Sequence, residues 1–163
     1  MNRFFIGFLV IVISLFVVEA TTVAQQSAVV PFTSGIATTV ASILQLFDPQ
    51  VGAHETMIWD KESEFAVTIE EGCNGVEASL VLIAAITAFP ALWRQKLIGI
   101  AVGVFTVQAL NLVRVITLFY LGQWSEVAFE WAHLYLWQAL IMLDVLIVFL
   151  YWLHWISSSK QTR

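Results

Sequence analysis

The sequence has little charge and a single cysteine. Charged residues make up 12% of its 163 residues, and the net charge is -5. Because no basic tract is present, we do not expect a nucleic-acid partner. One cysteine excludes an intramolecular disulfide, and no group of cysteine and histidine has metal-ligand spacing. We therefore expect neither a metal nor another cofactor, and the thiol is either inert or chemically active.

Apolar residues dominate the composition. They make up 60% of the chain, and the mean hydropathy is +0.85, which lies far outside the range of soluble proteins. A helix needs about 20 residues to cross a bilayer. Four apolar runs reach or approach that length, namely residues 4–18, 76–92, 97–121 and 134–156. The sequence therefore predicts an all-α integral membrane protein with about four transmembrane helices.

The cations predict how these helices are oriented. Short loops rich in lysine and arginine stay in the cytoplasm. Apart from Lys61 and Arg114, the cations fall before the first run, between the second and third, or after the fourth, at Arg3, Arg94, Lys96, Lys160 and Arg163. All three places lie on the same side of a four-span protein. Both termini are thus expected in the cytoplasm, with the acidic segment of residues 20–72 on the outer side of the membrane.

The predicted organisation has four parts. Residues 1–20 form an N-terminal anchor, although the short run and the small residues in "VVEATTVA" equally suit a signal peptide. Residues 21–72 form an extracytoplasmic segment, residues 73–156 a membrane core, and residues 157–163 a cytoplasmic tail. Either interpretation of the first run leaves the second part outside the membrane.

Two elements are predicted in the extracytoplasmic segment. In "GIATTVASILQLFDP" the apolar positions from Ile36 to Phe47 have helical spacing, which indicates a short amphipathic helix that Asp48 and Pro49 end. In "HETMIWDKESEFAVTIEEG" the polar "DKES" turn precedes alternating apolar residues, which favours a strand in a hairpin ending near Cys73.

Cys73 lies at the predicted outer end of the second membrane helix. The positive end of a helix dipole stabilises a thiolate and lowers its pKa. Gly72 and Gly75 permit a tight turn and close approach of another backbone. The neighbouring carboxylates, among them Glu77, act in the opposite direction. Taken alone, this residue is better interpreted as a buried, inert cysteine that caps a helix.

Arg114 lies well inside the third apolar run, in "LNLVRVITLFY". A buried arginine costs about 2.5–3.5 kcal/mol at the centre of a membrane helix, and such residues usually face a bundle interior or polar cavity. Its long side chain can reach outward towards the level of Cys73. Asn111 lies one turn below on the same face and is expected to hold the guanidinium. The alternative is a structural arginine that pairs with Glu77 or with a carbonyl group.

His133 begins the fourth run, again at the predicted outer face. Three helices therefore bring a cysteine, an arginine and a histidine to one level. His54, in the outer segment, and His154, near the cytoplasmic end, lack this registration. We accordingly expect Cys73, Arg114 and His133 to share one outward-facing pocket.

These residues resemble the signature of the exosortase and archaeosortase membrane transpeptidases. The matching motifs are "CNG" at Cys73, Asn74 and Gly75, "NLVR" from Asn111 to Arg114, and the histidine of "FEWAH". The resemblance extends over about residues 65–155. In its compactness the chain is most similar to the short exosortase H type. Asn74 stands where serine is common, and larger members have eight spans rather than about four.

The resemblance implies an activity, a partner and a set of roles. Cys73 would be the nucleophile, His133 the general acid and base, and Arg114 the group that stabilises the oxyanion, with Asn74, Gly75 and Asn111 in support. The substrates would be exported proteins with a C-terminal sorting tail that contains a transmembrane helix, met within the lipid membrane. Two other classes remain open, a small non-enzymatic membrane subunit and a thiol-based redox or acylation protein.

Overall fold

The computed structural model describes residues 2–161, and Arg163 of the predicted tail lies outside them. The helices among these residues are α1 (Asn2–Glu19), α2 (Thr22–Ala24), α3 (Val30–Leu44), α4 (Val76–Ala88), α5 (Trp93–Trp124), α6 (Glu126–Trp131) and α7 (Trp137–Gln161). Two π-helical turns, Gln25–Val29 and Ala132–Leu136, join α2 to α3 and α6 to α7. The strands are β1 (Val51–His54), β2 (Met57–Asp60) and β3 (Ala66–Thr68).

Within the described residues, three continuous helices are long and apolar enough to cross a membrane, Thr22–Leu44, Trp93–Trp124 and Glu126–Ser158. The predicted all-α membrane fold is confirmed, but the predicted count of four spans is wrong. Of residues 76–92, only the 13 residues of α4 are helical. The helix ends there because Phe89, the residue before Pro90, has an extended backbone conformation. The run of residues 4–18 forms the 18-residue α1, which is not among the three.

One of these three helices, Thr22–Leu44, lies in the segment predicted to be extracytoplasmic, where only a short amphipathic helix was predicted. That helix ends at Leu44, but it begins as far back as Thr22, since the π-helical turn keeps it continuous. Its buried face packs against the sheet and the C-terminal half of α5. The resulting core includes Ile36, Val40, Leu44, Val51, Ile58, Ile69, Val115 and Phe119.

The three strands form an antiparallel sheet in the order β1-β2-β3. The "DKES" sequence makes the predicted turn between β2 and β3. Asp60 stabilises this turn by accepting hydrogen bonds from the Glu62 and Ser63 amides and from the Ser63 hydroxyl. The predicted strand is β3, whereas β1 was not predicted. The sheet covers the end of the helical body at which Cys73 lies.

The helical body consists of α1, α4, α5 and α7. α1 and α4 run in opposite directions, so the Phe4 ring packs on the Phe89 ring at 5.9 Å between centroids. At the same end, the Trp152 indole of α7 donates a hydrogen bond to the Gln95 carbonyl of α5 at 3.0 Å. It packs over Gly99, which has no side chain to obstruct it. These contacts fix the relative heights of α4, α5 and α7, and thus of the residues at the opposite end.

Candidate active site

Cys73 lies in a tight turn between β3 and α4. Gly72 and Gly75 on either side have φ angles of +82° and +73°, which only glycine adopts without strain. The Cys73 amide donates a hydrogen bond to the Glu70 carbonyl at 3.0 Å. α4 begins at Val76, so the cysteine precedes the helix by three residues rather than occupying its first turn.

Asn74 fixes this turn from within the protein. Its side chain is buried, and its amide donates a hydrogen bond to the Thr33 hydroxyl of α3 at 3.0 Å. Its carbonyl oxygen accepts one from the Val76 amide at 3.0 Å. Asn74 therefore ties the cysteine turn both to the start of α4 and to the long helix outside the body.

Arg114 reaches the same place from α5. Its side chain is only 2% exposed, and its Nη2 atom lies 3.5 Å from the Cys73 sulfur. That is the one hydrogen bond its guanidinium makes within residues 2–161, where Nε has no partner. The predicted alternative, a pair with Glu77 or a carbonyl group, is therefore not formed. The positive charge remains available to an anion at the sulfur.

His133 lies in the π-helical turn between α6 and α7. Such turns widen the helix locally and are frequent at functional sites. The imidazole packs against the Phe129 ring with 5.6 Å between centroids, and its Nε2 atom lies 2.9 Å from the Cys73 sulfur. The structure thus brings together the cysteine, the arginine and the histidine that the sequence singled out. His54 and His154 are exposed elsewhere.

All three side chains border one cavity of about 360 Å³. Its other walls are β3 and the residues that follow it, together with Val115 and Leu118 of α5 and Phe129 of α6. A second, larger cavity of about 570 Å³ lies between α1, α4 and α7. Arg114 lines both cavities, so the two adjoin at this side chain.

The electrostatics of the thiol differ from the sequence-based expectation. Burial raises the pKa of Cys73 above its ordinary value, and Glu70 and Glu77 act in the same direction. Arg114 lowers this pKa, but by less than burial raises it. Burial of the sulfur therefore outweighs the lowering expected from a helix N-terminus, while the carboxylates act in the predicted direction. At neutral pH the resting group is the thiol, and a base is needed to ionise it.

Asn111 is buried one turn below Arg114, but its amide makes no hydrogen bond among the described residues. It does not hold the guanidinium as predicted. It lies beneath Gly75 instead, where a Cβ atom on the glycine would be 3.2 Å from the Asn111 Cγ atom. The absence of that Cβ lets the backbone of the cysteine turn settle directly on α5.

Gln108 also contacts the cysteine turn, which was not predicted from the sequence. Its Nε2 atom donates to the Gly75 carbonyl at 3.1 Å and lies 3.2 Å from the Ser79 hydroxyl. The signal was present, because residues 108, 111 and 114 recur every three positions and form one polar stripe along an apolar helix. Thr33 was also missed, and nothing in its local sequence distinguishes it.

Taken together, the helical body and its cavity define a multi-pass membrane protein with a cysteine, a histidine and an arginine in contact. The model of the transmembrane exosortase family (Exosortase_EpsH) matches residues 1–151, and the chain belongs to this family. Membership supports a role in processing the sorting signals of exported proteins, and a peptidase role in general. Comparisons with curated proteins and with solved structures gave no match.

Proposed function

We propose that this protein is a cysteine peptidase or transpeptidase that cleaves the C-terminal sorting signals of exported proteins at the outer face of the inner membrane. The observation that carries the proposal is the 2.9 Å contact between the Cys73 sulfur and the His133 Nε2 atom. A nucleophile and a base within hydrogen-bond reach are the minimal requirement for acyl transfer. In this proposal residues 73–156 are the catalytic core.

The first chemical step uses both side chains. As the Cys73 sulfur attacks the peptide carbonyl carbon, its proton passes to His133 Nε2, and a carbon–sulfur bond forms. The carbon–nitrogen bond then breaks, and His133 returns the proton to the leaving amine. The products are a thioester on Cys73 and the released tail. In the second step an acceptor amine or water, deprotonated by His133, attacks the thioester carbon, the carbon–sulfur bond breaks, and His133 returns the proton to the Cys73 sulfur.

Arg114 acts on the charge that develops during these steps. Its guanidinium lies 3.5 Å from the sulfur and has an unpaired Nε–H group. A fixed cation in a desolvated site stabilises both the thiolate and the oxyanion of the tetrahedral intermediate. A raised thiol pKa is compatible with this scheme, because ionisation then accompanies attack rather than preceding it.

The substrate in this proposal is a tail with an extended cleavage motif, an apolar helix and a basic end. The cavity of about 570 Å³ supports such a partner, since phenylalanines of α1 and aliphatic residues of α4 and α7 line it. It meets the catalytic cavity at Arg114. An apolar helix lodged there, among the membrane lipids, would have its outer end beside the sulfur.

The proposed orientation rests on charge. Arg94 and Lys96 lie in the first turn of α5, which follows the end of α4 that is opposite to Cys73. Lys96 is fixed there by a 2.6 Å hydrogen bond to the Thr87 carbonyl. With this positive end in the cytoplasm, the catalytic cavity opens on the outer face.

The decisive experiment compares substitutions at two histidines and at the cysteine. An exported reporter with an epitope after its sorting tail is followed by mobility shift, beside an immunoblot of the protein itself. Cys73→Ala and His133→Ala should abolish tail removal at normal protein abundance, while the exposed His154→Ala is the matched control and should cleave normally. Full cleavage by the Cys73→Ala variant would eliminate the peptidase and leave a non-enzymatic subunit as the better description.

A thiol-based sensor or acylation site makes a different prediction. In such a protein, modification of Cys73 would matter while Arg114 and His133 would be dispensable. Cleavage that depends on all three residues therefore excludes it as the main function.

A further inference from the structure

β3 is an edge strand of the sheet, and its free edge borders the catalytic cavity. The strand order β1-β2-β3 leaves one side of β3 without a neighbouring strand. The cavity wall runs along the chain from Ala66 to Glu70 and then includes Cys73. Edge strands are usually blunted or covered, because their unpaired backbone groups attract another strand.

The hydrogen bonds to β2 identify which groups of β3 point outward. The Ile69 amide donates to the Thr56 carbonyl at 2.9 Å, and the Phe65 carbonyl accepts from the Asp60 amide at 2.9 Å. Backbone groups in an antiparallel pair alternate between the two sides of a strand. The odd positions of β3 therefore face β2, and the backbone groups of Ala66 and Thr68 face away from it.

These outward groups have no partner in the part of the chain that the structure describes. No hydrogen bond among residues 2–161 uses the backbone N–H or C=O of Ala66 or Thr68. The side chains of these two residues are exposed, so the strand is accessible from the face on which they lie. The edge thus offers two donor–acceptor sets, two residues apart, at the wall of the cavity.

We infer that the substrate segment to be cleaved binds in an extended conformation as a fourth strand along β3. Its backbone would hydrogen-bond to Ala66 and Thr68, which are about 7 Å apart at a strand rise of ~3.3 Å per residue. The peptide would then continue towards Cys73 and His133. This inference rests on the proposed peptidase function and specifies how that site holds its substrate.

The remaining walls suit such a strand. Val115, Leu118 and Phe129 give the cavity an apolar side, which would receive alternate side chains of the added strand. The backbone hydrogen bonds do not depend on the substrate's side chains. β3 would therefore supply affinity and register, while the apolar wall selects which residues flank the cleaved bond.

Proline tests the hydrogen bonds directly, because it has no backbone N–H group. Thr68→Pro removes an outward N–H without removing a bond to β2. The matched control is Ala53→Pro on β1. Ala53 pairs with Ile58 between the bonded pairs of the hairpin, so its N–H also points away from β2, but on the opposite edge of the sheet.

The variants are compared for cleavage of the tagged reporter at low substrate expression, with protein abundance and iodoacetamide labelling of Cys73 measured in parallel. We expect Thr68→Pro to reduce cleavage about tenfold or more, since it loses one hydrogen bond and places a ring carbon in the strand's path. Ala53→Pro should cleave normally. Equal cleavage by the two proline variants at equal abundance would overturn strand addition, yet leave the peptidase intact if Cys73→Ala is inactive.

A cross-linking experiment gives an answer even if Thr68→Pro does not accumulate. The protein carries Cys73→Ala with Thr68→Cys, and a series of reporters carries one cysteine at successive positions around the cleavage site. Opposed residues of adjacent strands have Cβ atoms about 4.5–5.5 Å apart. On mild oxidation, the disulfide should form best at the reporter position opposite residue 68, more weakly two positions to either side, and not at the positions between. A pattern without this period of two would refute the added strand.

Discussion

Arg114 should control the ionisation of Cys73, and removing its charge tests this. At the observed 3.5 Å, the attraction between a guanidinium and a thiolate is about 1.2 kcal/mol in water and about 5 kcal/mol at an effective dielectric of 20. The sulfur is partly buried, which places the interaction between these limits, on the order of 2 kcal/mol. At a pH below the pKa of Cys73, this corresponds to about 30-fold in thiolate population.

The sign follows from the state that the cation favours. Arg114 lowers the pKa of Cys73, so Arg114→Gln should raise it further above its ordinary value. At neutral pH, which lies below this pKa, less thiolate would be present. Alkylation by iodoacetamide should then be about 30-fold slower. The two rates should converge at a pH above both pKa values.

The assay is unambiguous because Cys73 is the only cysteine in the sequence. Initial alkylation rates are measured against pH in isolated membranes, with Arg94→Gln as a control for loss of an exposed cation. Arg114→Lys keeps the charge and should remain much closer to the wild type in alkylation, while losing most cleavage if the planar fork positions the oxyanion. Alkylation of Arg114→Gln at the wild-type rate would refute the electrostatic role.

Three further substitutions have defined outcomes. Glu70→Gln removes an anion that raises the pKa of Cys73, so alkylation at neutral pH should be faster than in the wild type. Gly75→Ala introduces a side chain at φ +73° in contact with α5; the left-handed backbone alone costs about 1–2 kcal/mol, so abundance and thermal midpoint should fall. Gly99→Ala places a methyl group against the Trp152 indole and should lower the thermal midpoint, with an unchanged midpoint contradicting the close packing of α5 and α7.

The residues of the site could be predicted because each has its own signal. Arg114 is expensive in an apolar helix, and Cys73 and His133 each lie at the end of an apolar run, so counting along three segments was enough to compare their depths. Helical rise and the bilayer thickness are enough to compare these depths. How the helices pack need not be known.

The rest depends on contacts that no local pattern encodes. The 13-residue length of α4 was missed because hydropathy does not register where Pro90 and its neighbours leave the helix. The continuous helix Thr22–Leu44 was missed because a π-helical turn carries it through polar "QQS". The contribution of burial to the pKa of Cys73 was not predicted, since the helix dipole and the neighbouring carboxylates are local effects and burial is a tertiary one.

Among the described residues, the Arg114 guanidinium has no carboxylate partner, and this determines which charges it can stabilise. A buried arginine normally finds a carboxylate, and Glu77 is close enough to affect the Cys73 pKa, yet no such pair forms with this guanidinium within the described residues. A carboxylate bound to the guanidinium would neutralise it before the reaction. With Asn111 turned beneath Gly75 instead, the cation's strongest available partner is negative charge on the sulfur or on a substrate oxygen. In the proposed mechanism, the cost of burying Arg114 would therefore be offset most when that charge develops, which would favour the reacting state over the resting one.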